Sequence, residues 1–152
     1  MDEFKIIYSD DYKTIINYFD IQQWMKSNYV KFNVLYFDNI LPPVDRMIFE
    51  PIIKNVSYLG CAYNNKLGYA TKTLPFKIRL NFVYDMGPIE WQNVLLHEMI
   101  HIWQYTVGYK GGHGKSFKMK MKEINKYGWG ITCVYKDIIG ETKYARDRQK
   151  CN

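Results

Sequence analysis

Apolar residues recur with two different periods along this chain, and each change of period marks a change of element. Ile15, Tyr18, Ile21 and Met25 follow helical spacing and form one apolar face. The dense apolar and aromatic run 30–37 fits either a second helix or a strand. Residues 39–43, with Pro42-Pro43, break the pattern as a loop. Residues 47–63 read as extended segments, and in 77–82 Ile78, Leu80 and Phe82 alternate inward. A turn or short loop at 64–68 lies between them. Asp85-Met86-Gly87-Pro88 opens a helix, with Pro88 suited to the first turn and Glu90 favourable at its positive end. This helix is expected to run to about Val107 and stop at Gly108, burying Leu95, Met99, Ile102 and Trp103. A Gly-rich loop, 108–114, leads to a helix from about Lys115 to Tyr127, with Phe117, Met121 and Ile124 as its apolar face and Gly128 at its end. Residues 131–135 fit a last strand. Helix–sheet–helix order without βαβ alternation predicts an α+β fold with N-terminal helices and a small, mainly antiparallel sheet.

The length of 152 residues fits one domain, 1–152, with a charged tail at 137–152. No stretch is long and apolar enough to span a membrane. The acidic start Met1-Asp2-Glu3-Phe4-Lys5 lacks the charged-then-apolar order of a secretory signal. Cys61, Cys133 and Cys151 are scattered and odd in number, against a disulfide framework. A cytoplasmic, reducing setting and a monomer are the expectations. The net charge of +6 is uneven: Lys110, Lys115, Lys118, Lys120, Lys122 and Lys126 face one nearby acid, Glu123. Such a stripe attracts polyanions such as DNA, and Lys110, Lys115, Lys118 and Lys122 are the residues expected to meet them. A solvated helix face is the simpler account of the same lysines.

The chemistry gathers in one stretch. His97-Glu98-Met99-Ile100-His101 places two histidines four apart on a predicted helix, so both imidazoles reach one metal ion. Glu98 sits beside that ion as a base for water. The remaining histidine, His113, lies between Gly112 and Gly114, which let the loop fold back over the metal. Three protein ligands and an open fourth position describe a catalytic zinc site. A metzincin would carry glycine and histidine where this chain has Gln104 and Val107, which removes that class. A thermolysin-like enzyme would use a carboxylate from the next helix, where Glu123 is the one acid; His113 is the better ligand.

Leu96-His97-Glu98-Met99-Ile100-His101 followed by Gly112-His113-Gly114-x-x-Phe117 resembles the SprT-like metallopeptidase domain, which includes the Spartan proteases. Weaker similarities lie at Phe32-Asn33 with Phe37, Leu59-Gly60-Cys61-Ala62-Tyr63, Ile78-Arg79-Leu80-Asn81, Ile124-Asn125 and Ile131-Thr132-Cys133-Val134-Tyr135. They extend the resemblance over about 14–136. It implies a compact zincin with His97, His101 and His113 as ligands and Glu98 as catalytic carboxylate. It also implies action on proteins near or crosslinked to DNA. The cysteine zinc ribbon of many bacterial relatives has no counterpart here. The expected activity is zinc-dependent peptide-bond hydrolysis. The alternative is a nucleic-acid-associated binding module with a structural or inactive zinc site.

Overall fold

The computed structural model describes residues 18–54, 58–64, 76–84 and 86–134. Ile15, the side chain of Tyr18, residues 65–68 of the expected turn, Asp85, Tyr135 and the tail at 137–152 lie outside them. The order of elements is α1 (Tyr18–Tyr36), a short 3-10 turn (Val44–Arg46), β1 (Met47–Ile52), β2 (Gly60–Tyr63), β3 (Phe76–Asn81), α2 (Pro88–Val107) and α3 (Lys115–Asn125). This is the α+β arrangement that the order of periods predicts.

The ambiguous run at 30–37 belongs to the first helix, which continues to Tyr36. Its buried stripe, Ile21, Trp24, Met25, Asn28, Tyr29, Phe32 and Asn33, keeps helical spacing to the end. Val30, Val34 and Leu35 face solvent, so the run looked dense because both faces carry apolar residues. The helix ends where Asp38 and Asn39 turn left-handed, a conformation that Asn and Asp tolerate better than most residues. The Asn33 side chain then accepts from the Leu41 amide at 3.1 Å and closes the turn.

The sheet order is β1-β3-β2. β2 pairs with β3 antiparallel, Gly60 opposite Leu80, whereas β1 runs parallel to β3, Met47 opposite Phe76. The sheet is therefore mixed rather than mainly antiparallel. β3 is central, and Pro51 lies on the edge strand β1, where a missing amide is tolerated. Phe49, Ile78 and Leu80 face the core. On the other face Arg79 bonds to Glu50 and to the Tyr58 hydroxyl, and Lys77 lies 4.8 Å from the centre of the Tyr63 ring.

α2 is the spine of the fold. Gly87 is its N-cap, Pro88 takes the first position, and the Gly87 amide donates to the Glu90 carboxylate at 2.9 Å. Every residue from Val94 to Ile100 is buried, because β2 and β3, α1 and α3 pack around this helix. Leu95, Met99, Ile102 and Trp103 are among the buried residues, as their spacing requires. Gly108 caps the C-terminus with φ 95°, a left-handed angle that favours glycine.

α3 ends at Asn125, two residues short of its expected end, as Tyr127 and Gly128 tighten into a three-residue turn. The expected strand at 131–135 is absent among the described residues. The physical reason is that side chains take its backbone bonds. Asn125 accepts from the Ile131 amide at 2.9 Å and donates to its carbonyl at 3.0 Å. Asn93 accepts from the Gly130 amide at 2.9 Å. The segment is thereby laid along α2 with Ile131 buried.

Candidate metal centre

His97 and His101 stand one turn apart on α2, and the loop after Gly108 returns His113 to them. The His113 Nε2 lies 3.2 Å from Nε2 of His97 and 3.2 Å from Nε2 of His101. All three could hold one metal ion. Ligands around a tetrahedral zinc at ordinary Zn–N lengths are separated by about 3.3 Å, which the two distances from His113 match.

Tautomers decide whether these nitrogens are ligands or merely bonded to one another. The His97 Nδ1 is 2.7 Å from the Thr132 carbonyl, which can only accept. The proton of neutral His97 therefore sits on Nδ1, leaving the Nε2 lone pair facing the cluster. His101 Nδ1 is 2.8 Å from Oε1 of Gln104. The amide of Gln104 donates from Nε2 to the Gly112 carbonyl at 3.1 Å and contacts Ser116 Oγ at 2.9 Å. Reversing the amide would set two acceptors against each other at Gly112, so Oε1 faces His101 and its Nε2 is also a lone pair. Two converging lone pairs with at most one shared proton are poorly satisfied by one another and well satisfied by a cation.

Phe117 closes the floor. Its buried ring lies 4.7 Å from His97, 5.0 Å from His101 and 4.8 Å from His113, centre to centre. Burial, reinforced by the neighbouring His101, pushes the pKa of His97 down to about 3. Burial first and His113 second lower that of His101, and burial lowers that of His113. All three are held neutral, the state in which imidazole binds metal.

Glu98 is 2 % exposed, and burial raises its pKa well above the ordinary value. It packs against Gly60 of β2, where a Cβ would sit 3.0 Å from Glu98 Oε2. Tyr105, one turn beyond His101, has its pKa raised by burial and then by the charge of Glu98.

Lys110, Lys115, Lys118 and Lys122 are all exposed. Lys110 and Lys115 line an open depression of about 490 Å³ with Tyr109 and Met119. Lys115, Lys118 and Lys122 line an adjoining one of about 570 Å³. Lys120 leaves the stripe: it is buried, bonded to Glu123 at 3.2 Å and set over the rings of Phe37 and Trp103. Glu123 is exposed and engaged there, away from the three histidines.

Sequence reasoning missed Gln104, Thr132 and Gly60. Gln104 could have been found, since a residue three beyond His101 shares its helix face. Thr132 acts through its carbonyl 35 residues from His97 and leaves no local signal.

An α+β domain with a helix-borne histidine pair, a third histidine from a glycine loop and a buried Glu beside the first defines a metallopeptidase-like class. The family model of the SprT-like family matches residues 25–137, and the chain belongs to that family. No curated protein matches the chain.

Proposed function

We propose that this chain is a zinc-dependent endopeptidase domain in which His97, His101 and His113 hold the ion and Glu98 carries the proton. The observation that supports this most is the convergence of three imidazole nitrogens, all within 4.8 Å of one another and His113 Nε2 at 3.2 Å from each of the other two, with Nδ1 of His97 and His101 committed elsewhere. When bound, zinc supplies Lewis acidity that activates water and polarises a carbonyl. Glu98 takes the proton of the attacking water and delivers it to the departing amide nitrogen. Its burial suits that task, because a desolvated carboxylate holds a proton more strongly than an exposed one. We assign oxyanion stabilisation to the Tyr105 hydroxyl, on the same helix stripe as His97 and His101.

The test is metal analysis beside cleavage of casein or histone by wild type, Glu98→Gln, His113→Ala and Glu123→Ala. Glu98→Gln should retain zinc and lose cleavage; His113→Ala should be isolated largely without zinc and bind it only weakly through His97 and His101; Glu123→Ala should keep both. Zinc loss only in Glu123→Ala, or wild-type cleavage by Glu98→Gln, would overturn the assignment.

The groove of Lys110, Lys115, Lys118 and Lys122 supports a further part of this reading, in which DNA-associated or DNA-crosslinked proteins are the substrates. The lysines would engage phosphates and bring substrate to the site. A nucleic-acid-binding module with an idle metal site draws on the same groove, and DNA binding with a steep salt slope but no proteolysis would favour it.

A further inference from the structure

Gln104 is 1 % exposed, and each polar part of its side chain is engaged. Oε1 accepts from His101, Nε2 donates to the Gly112 carbonyl, and the same nitrogen meets Ser116 Oγ at the start of α3. Its own carbonyl accepts from the amides of Gly108 at 3.1 Å and Tyr109 at 2.8 Å. Thus the start of the 108–114 loop, its carbonyl next to His113 and the following helix are all fastened to one residue. That residue also orients the ring of the second histidine.

The loop needs such a fastening. His113 is exposed, and Gly112 before it has φ 96°, which glycine alone adopts readily. A glycine-rich loop samples many conformations when free, and each lowers the fraction of molecules with three converged nitrogens.

We propose that Gln104 is a positioning residue that couples the second and third metal ligands, so that the His113 loop and the His101 ring are held as one unit before metal arrives. This rests on reading the histidines as ligands. One amide serves both sides because its acceptor and its donors lie on opposite ends of the same rigid plane. An apolar residue of the same length would free the His101 ring and the loop together. A carboxylate would keep the acceptor for His101 Nδ1 but lose the donor to Gly112.

The experiment compares wild type with Gln104→Met and Gln104→Glu, each also in a His113→Ala background. Zinc affinity is read by competition with a chromophoric chelator, and hydrogen exchange of residues 108–114 is read on the metal-free proteins. Thermal unfolding confirms that the variants fold; Gln104→Met is close to isosteric and avoids a cavity. Gln104→Met should weaken zinc binding by about 10–100-fold and speed exchange in the loop. Gln104→Glu should speed exchange as much but lose less affinity. In the His113→Ala background the factor for Gln104→Met should shrink, because the loop half of its role is gone. Wild-type affinity in Gln104→Met, or the same factor in both backgrounds, overturns the coupling. Zinc binding that depends on Gln104 in a wild type that cuts no protein upholds the coupling and overturns the endopeptidase reading instead.

Discussion

A methyl group at Gly60 should damage catalysis without touching the metal. The Cβ of Gly60→Ala would lie 3.0 Å from Glu98 Oε2, 3.2 Å from Glu98 Cγ and 3.1 Å from the Arg79 carbonyl. Carbon meets oxygen comfortably from about 3.4 Å, so two of these contacts overlap by about 0.3–0.4 Å. The Arg79 carbonyl is backbone of the central strand, which leaves Glu98 as the group that yields. A catalytic group misplaced by about 1 Å costs about 10²-fold, so a shift of a few tenths should lower kcat by about 5-fold. Overpacking should also remove about 1–3 kcal/mol of stability. The assay is steady-state cleavage at saturating zinc, well below the unfolding temperature, with metal content measured on the same sample. Zinc affinity and KM should stay near wild type, because no ligand is displaced. Ala62→Gly loosens the same strand without approaching Glu98 and should keep its kcat. The reasoning is refuted if Gly60→Ala keeps full kcat, or if zinc and activity are lost together.

Three more predictions come from the same geometry. In the metal-free protein His97 holds its pKa near 3 against an ordinary 6.5, so the unfolded chain binds the proton that the folded one refuses. Stability then falls as pH drops below 6.5, by about 1.4 kcal/mol per pH unit for each such histidine. Glu98 has the opposite sign: its raised pKa makes the fold lose stability as pH rises above the ordinary 4.5. Metal-free Glu98→Gln should therefore show a steeper rise of stability between about pH 5 and 6 than wild type, measured by urea unfolding; equal slopes would refute the buried-carboxylate account. Tyr105→Phe should lower kcat by about 10²-fold with little change in KM or zinc content, and an unchanged kcat would remove it from the oxyanion role. Replacing Lys115, Lys118 and Lys122 together by Glu should flatten the salt dependence of DNA binding by about one unit for each lysine that meets a phosphate. An unaltered slope would show that the groove is a solvated face.

The helix that carries the site was legible because its signals are local. Pro88, Glu90 and Gly108 mark its ends, and the histidine pair needs only the pitch of a helix to converge. His113 was legible for a related reason, since glycines on both sides announce a loop free to turn back. The run 30–37 was not, because Val30, Val34 and Leu35 place apolar residues on the solvent side and blur the period. Nor was the segment 131–134, whose apolar residues suit a strand while Asn125 and His97 occupy its backbone. Lys120 belonged to a charged stripe in sequence and is buried against Phe37 and Trp103 in the fold.

The sequence by itself determined that the first two histidines converge, since residue type and helical pitch are enough to aim His97 and His101 at one point. Tertiary structure alone decided what makes those residues a site. The parallel pairing of β1 with β3, the space at Gly60 for Glu98, the Thr132 carbonyl behind His97 and the bonds of the Gln104 side chain to Gly112 and Ser116 all join residues distant in sequence or on different elements. Such contacts follow from how elements pack, and packing is set by the whole core rather than by any window of the chain.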